Sequence, residues 1–150
     1  MSRIPYIPLL LSLAGLIPFI WGAATTLSAP LQTWGAGILG ARLVGPYIQF
    51  FYGSVILSFM SGVLWGFAAK AKGSKAGVGY ALSTIPALWA LFMTGGGPVS
   101  AASNLVLGFL GLLILDFIFD RWGLTPQWWI PLRMLITAVV VVCLGVVVFA

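Results

Sequence analysis

From Leu43 to Ala69 the chain carries no Lys, Arg, Asp or Glu, and small residues recur through that stretch at every fourth position: Ser54, Ser58, Gly62 and Gly66. An uncharged apolar run of this length suits a membrane crossing, which takes about 20 residues of α-helix. On a helix the four small residues form one ridge. Such a ridge lets a second helix approach closely in lipid, where packing replaces the missing hydrophobic drive between helices. The stretch therefore reads as a membrane helix whose partner is another helix, either in this chain or outside it.

The rest of the chain repeats the pattern. Of its 150 residues 61% are hydrophobic and 6% are charged, against about 25% charged in an ordinary soluble domain. The expected fold is an all-α integral membrane protein, a single five-helix bundle with crossings at about 5–29, 43–69, 77–94, 100–119 and 131–149 and no room for a second, soluble domain. The first run follows Arg3 and has small residues near Ser28 and Ala29, as a signal peptide would. It is longer than a signal core of about 7–15 residues, so it reads as a true crossing. Lys70 to Lys75, Gly95 to Pro98, and Gly123 with Pro126 supply the turns. Only Pro30 to Arg42 is a long connection. Its glycines argue against a stable amphipathic helix and predict an interfacial loop.

Five crossings place the two ends of the chain on opposite faces. One face collects Arg3, Lys70, Lys72, Lys75, Arg121 and Arg133, while the other has Arg42 alone. The excess of cations places the first face, with the N-terminus, in the cytoplasm and the C-terminus outside. The net charge of +5 is thereby accounted for by topology and contact with anionic membrane lipids, and no nucleic-acid partner is implied. Trp65, Trp122, Trp128 and Trp129 fall near the cytoplasmic interface and Trp34 near the other, where tryptophans anchor to lipid.

Asp116 breaks the apolar pattern. It precedes Asp120 by four residues, which sets it about 6 Å deeper than the helix end. It is an anion close to the C-terminal end of the fourth helix, and Arg133 is a cation close to the N-terminal end of the fifth; both are disfavoured by the helix dipoles. A short loop joins these helices, so Asp116 and Arg133 are expected to form an intramembrane pair, with Arg121 as competitor and a proton or substrate role as the functional reading. Two prolines interrupt crossings in similar words, Ile17-Pro18-Phe-Ile-Trp21 and Ile85-Pro86-Ala-Leu-Trp89. Pro18 and Pro86 are expected to kink the first and third helices, opening a cleft or improving packing.

Chemistry for catalysis is scarce. The sequence has no His, one Cys (Cys143) and two carboxylate side chains, too few for an ordinary zinc site, a haem ligand pair, an iron–sulfur cluster or a serine triad. No catalytic residue, cofactor or metal ligand is assigned, and the chain does not read as an enzyme. The segments Gly15-Leu-Ile-Pro-Phe19, Tyr52-Gly-Ser-Val-Ile-Leu-Ser-Phe59, Trp65-Gly66 and Leu132-Arg133 resemble the membrane family of unknown function that includes transmembrane protein sixty-nine. Met60 and Ser61 stand where that family's pattern has Leu and Gly. The resemblance implies a several-helix protein of the bacterial inner membrane, or alternatively the mitochondrial inner membrane, and no established activity.

The function expected is an accessory, assembly or stabilising partner of a membrane complex, binding other membrane-protein helices or a second copy of itself. The alternative is a small transporter or channel for an ion or small solute, with the two kinked helices and Asp116 along its path. The orientation has a direct check: a reporter enzyme active only in the cytoplasm should work when fused at Met1 and fail when fused at Ala150.

Overall fold

The structure, a computed structural model, describes residues 3–150. Among these residues the regular structure is entirely helical. Five stretches are long and apolar enough to cross a membrane: Tyr6–Leu27, Gly45–Ala68, Ser74–Met93, Pro98–Arg121 and Trp129–Phe149. The third begins at Ser74, earlier than the expected Gly77, because the turn at Gly73 adopts φ 67° and releases the chain directly into helix.

The first and third crossings are each built from two helices. The first comprises α1 (Tyr6–Ala14) and α2 (Ile17–Leu27). Pro18 occupies the first turn of α2, where its missing N–H is no loss. After the connection that contains α3 (Ala29–Leu39), the second crossing is the single helix α4 (Gly45–Ala68). The third crossing comprises α5 (Ser74–Ser83) and α6 (Ile85–Met93), with Pro86 again in the first turn of the second piece. The last two crossings are α7 (Pro98–Arg121) and α8 (Trp129–Phe149). The two similar proline words also end alike. Trp21 Nε1 donates to the Leu43 carbonyl at 2.8 Å and Trp89 Nε1 to the Asn104 carbonyl at 2.7 Å, each tying its crossing to the backbone of a later segment.

The breaks leave helix-end amides that lipid cannot satisfy. At the second break the Ser61 hydroxyl of α4 accepts from the Ala87 amide at 2.8 Å. Ser61 thus caps a neighbouring half-helix, which a glycine at this position would leave uncapped. Gln49, buried in α4, donates through Nε2 to the carbonyls of Phe19 at 2.9 Å and Cys143 at 3.1 Å, joining three crossings at one point.

The connection between the first two crossings departs from the loop expected there. Ala29–Leu39 is a helix, α3, begun by Ser28, whose hydroxyl accepts from the Leu31 amide, and by Pro30 in its first turn. Its glycines do not prevent it because one is used for packing. A Cβ at Gly35 would lie 2.6 Å from the Trp21 ring, so only glycine allows α3 to lie on that indole. Trp34 adds an edge contact to the same ring.

The second crossing is the hub, packed along the first, third and fourth and grazing the fifth. Its inward face is Gln49, Gly53, Leu57, Met60, Ser61, Leu64 and Ala68. Leu57, Leu64, Leu105, Phe109, Leu112, Phe119 and Leu144 fill the interior around it. Close approach depends on glycine at a few places. A Cβ at Gly108 would meet the Trp89 ring at 2.7 Å and Leu57 at 3.1 Å, and that indole is already held by its hydrogen bond to Asn104. Gly108→Leu should therefore lower the stability of the bundle by about 1–3 kcal/mol, read as an earlier midpoint on SDS titration in mixed micelles. Gly111→Ala, where an added Cβ meets nothing within 4 Å, should leave the midpoint nearly unchanged.

Candidate functional site

The polar centre of the bundle forms where α7 gives way to α8. Helix α7 ends in a tight reversal in which the Gly123 amide donates to the Asp120 carbonyl and the Leu124 amide to the Phe119 carbonyl. Gly123 adopts φ 73°, the left-handed conformation that this kind of helix stop requires. The turn brings the start of α8 back alongside the end of α7. Trp129 and Arg133, four residues apart, then share the face of α8 that meets α7.

Asp116 lies on the opposing face with 0% of its surface exposed, and Arg133 is 6% exposed. Arg133 Nε donates to Asp116 Oδ2 at 3.0 Å. Trp129 Nε1 donates to the other oxygen, Oδ1, at 3.0 Å. Both carboxylate oxygens are therefore engaged, and the guanidinium also lies 5.9 Å from the centre of the Trp129 ring. Phe67 of α4 packs edge-on against that ring and seals the cluster from a third crossing. Asp120, one turn on, is exposed and accepts instead from the Thr125 hydroxyl at 2.7 Å. The two aspartates thus sit in separate environments, and Arg121 takes no part in the pair.

Beside this cluster lies a cavity of about 410 Å³, between the break in the first crossing and the facing walls of α4, α7 and α8. Its volume falls in the usual range of about 300–1,000 Å³ for small-molecule sites. Leu16, Phe19, Ile56, Met60 and Val140 give it an apolar lining, and Leu11 and Phe59, 68% and 64% exposed, stand on its rim. Its polar lining includes Arg133 and Thr137, one turn apart on α8, together with Ser12 of α1 and Tyr52 of α4. Arg133 Nη2 and the Thr137 hydroxyl are both buried and both without a hydrogen-bond partner, an arrangement that costs about 1–3 kcal/mol per group.

The small-residue ridge faces elsewhere. Ser54 and Ser58 donate to the backbone of their own helix, at the Phe50 and Ser54 carbonyls, and line a shallow groove against α6. Gly62 and Gly66 are exposed, and a Cβ on either would meet no atom of this chain within 4 Å. The interior of the bundle uses a different set: Gly22, Gly35, Gly53, Gly79 and Gly108 each have a neighbour within 3.1 Å of the Cβ position. Asp116 and Arg133 are brought together; Gly62 and Gly66 are not brought against any helix of the chain. Pro18 and Pro86 sit just after the two breaks, and Pro18 lines grooves on the outer side of α2 away from the ion pair.

Four residues of the polar framework escape a reading by motif. Trp129 reads as a lipid anchor from its position yet completes the Asp116 site, and the signal was its spacing of four from Arg133. Gln49 is the one amide in its crossing, and its burial marks it only once the fold is known. Thr137 is a single polar group in an apolar run, and Tyr52, though it opens a quoted motif, carries no sequence cue to the cavity that both line.

These features define a multi-pass helical membrane protein organised around one buried ion pair. The chain belongs to a family described as protein of unknown function (DUF3429), whose pattern it matches over residues 4–149. It is also 34% identical over 137 residues to transmembrane protein 69 of Xenopus tropicalis, a match covering 89% of this chain and 50% of that protein. The chain thus spans about half the length of that curated relative. No solved structure matches it.

The ion pair has a thermodynamic signature. Removing one partner, as in Asp116→Leu or Arg133→Met, strands a buried charge and should cost about 3–5 kcal/mol. The double variant should recover most of that loss, because two apolar side chains strand nothing. Unfolding midpoints of the four proteins in mixed micelles measure the difference.

Proposed function

We propose that this chain is a non-catalytic accessory or assembly protein of an inner membrane, which holds a helix of a partner subunit against the Gly62–Gly66 face of its second crossing. The observation that carries the proposal is where the small-residue ridge of the second crossing ends. The glycines that the bundle needs for its own packing are in close contact inside, whereas Gly62 and Gly66 lie open on the outer surface, as Gly77 does on another helix, and they continue the ridge that Ser54 and Ser58 begin. Glycine in the middle of a helix costs about 0.5–1 kcal/mol relative to alanine, and nothing within the chain offsets that cost at these two positions. Close approach by a partner helix would offset it. The large apolar side chains of Val55, Phe59 and Trp65 are exposed on the same helix and would flank the incoming helix.

The membrane is the bacterial plasma membrane on this reading, with the mitochondrial inner membrane as the other setting that fits the family resemblance. The cationic turns at Lys70 to Lys75 and at Arg121 favour a cytoplasmic N-terminus. No catalytic residue is assigned. Asp116, with both oxygens engaged, acts as a structural anion that locks α7 to α8.

The test is Gly62→Leu. Its side chain would enter open space, so the purified variant should unfold at the same SDS concentration as the wild type. In the native membrane, extracted in mild detergent, the wild type should migrate as a complex and the variant at its own mass. A variant that unfolds early, or one that keeps its complex intact, would remove the basis of the proposal; a complex made only of copies of this chain would replace the partner subunit with self-association.

A further inference from the structure

The cavity beside Arg133 has a use distinct from helix docking. We propose that it is a binding site for a single-chain anionic amphiphile of the membrane, with a carboxylate or phosphate head on Arg133 and Thr137 and an aliphatic chain in the apolar remainder. Three observations meet there. Arg133 is 6% exposed and Thr137 2% exposed, and Arg133 Nη2 and the Thr137 hydroxyl are left without partners on the same wall. Both can donate. Both atoms lie behind the cavity surface, and rotation of the two side chains would present them to an oxyanion one turn inside Trp129 while Nε of the same guanidinium stays on Asp116.

The rest of the cavity is mostly apolar, as an aliphatic chain requires, with Ser12 and Tyr52 its other polar side chains. Beyond Thr137 the wall of α8 continues through Val140, and Phe19, Ile56 and Phe109 close the deep end. The cavity reaches the outer surface of the bundle at Leu11 and Phe59, so entry is sideways, from the hydrocarbon of the leaflet. Gly15, at the break, and the Tyr52 hydroxyl stand close together on the lining: an added Cβ at Gly15 would lie 3.4 Å from that hydroxyl. Head and chain therefore have separate places along the crossing, with the head nearer the Trp128–Trp129 end, where a lipid head group belongs.

Equilibrium binding of tritiated palmitate and of lysophosphatidate to the purified full chain in a neutral maltoside tests the site. At least one of them should bind saturably near one per protein, and which one does identifies the head. A monoacylglycerol of equal chain length should bind at least tenfold more weakly, and inorganic phosphate should not compete. Thr137→Val should weaken binding about tenfold, the effect of one charge-assisted hydrogen bond, and Ile56→Trp should abolish it by filling the chain region. Equal binding of the neutral lipid, full competition by phosphate, or wild-type affinity in both variants would overturn the proposal. Photolabelling of the wild-type protein by a diazirine fatty acid needs no variant. Labels should map to Ile56, Met60, Ile136 and Val140, and labels confined to other faces would also overturn it.

Discussion

The Asp116 carboxylate is shut away from solvent inside a bundle meant for hydrocarbon, and the arrangement of the last two crossings follows from neutralising it where it lies. A lone carboxylate there would be severely penalised. Arg133 and Trp129 share its two oxygens, and they can do so only if α8 returns at close range in one rotational setting. The reversal at Gly123 supplies the range, and the spacing of Trp129 and Arg133 supplies the setting. Phe67 extends the constraint to α4. A single buried charge thus fixes three crossings relative to one another.

The same rule, that lipid accepts no unsatisfied polar group, explains the framework elsewhere. Two crossings are broken at proline-started half-helices, and each break creates amides or carbonyls that need partners. Ser61 supplies one for Ala87, Trp89 and Asn104 tie α6 to α7, and Gln49 reaches two carbonyls at once. The Thr25 hydroxyl of α2 accepts from the Gly45 amide at the start of α4 and so ties the first crossing to the beginning of the second. These bonds are between side chain and backbone, so they tolerate sequence change around them while holding helix positions. Three buried groups among the described residues stand apart from this economy: Gln49 Oε1, Arg133 Nη2 and the Thr137 hydroxyl. Arg133 and Thr137 both belong to the wall of one cavity, and that coincidence distinguishes the lateral pocket from ordinary packing defects.

Some of this is legible in the order of the residues, and the rest is hidden there for identifiable reasons. The five runs were visible because the thickness of hydrocarbon is a length, and length is local. Asp116 and Arg133 could be matched because each stands at the wrong end of its helix dipole. Trp129 could not be distinguished from a lipid anchor, since an indole at the interface satisfies either role. Helix α3 was masked by its glycines, whose cost is overcome by a tertiary contact between Gly35 and Trp21. The small-residue ridge was found, but the inward face of α4 lies one register position away, through Gly53, Leu57 and Ser61.

That displacement by one position separates what sequence and structure each decide. The sequence by itself determined a helical membrane protein of five crossings, its turns, and the two charges that must be reconciled inside it, because these depend on run length, punctuation and the sign of a dipole. Which side of each helix faces inward was decided only by the tertiary structure. In water the interior is marked by hydrophobicity; in lipid both sides of a helix are apolar, so the interior is chosen by the closeness of contact and the pairing of polar groups, and those exist only once the helices have met.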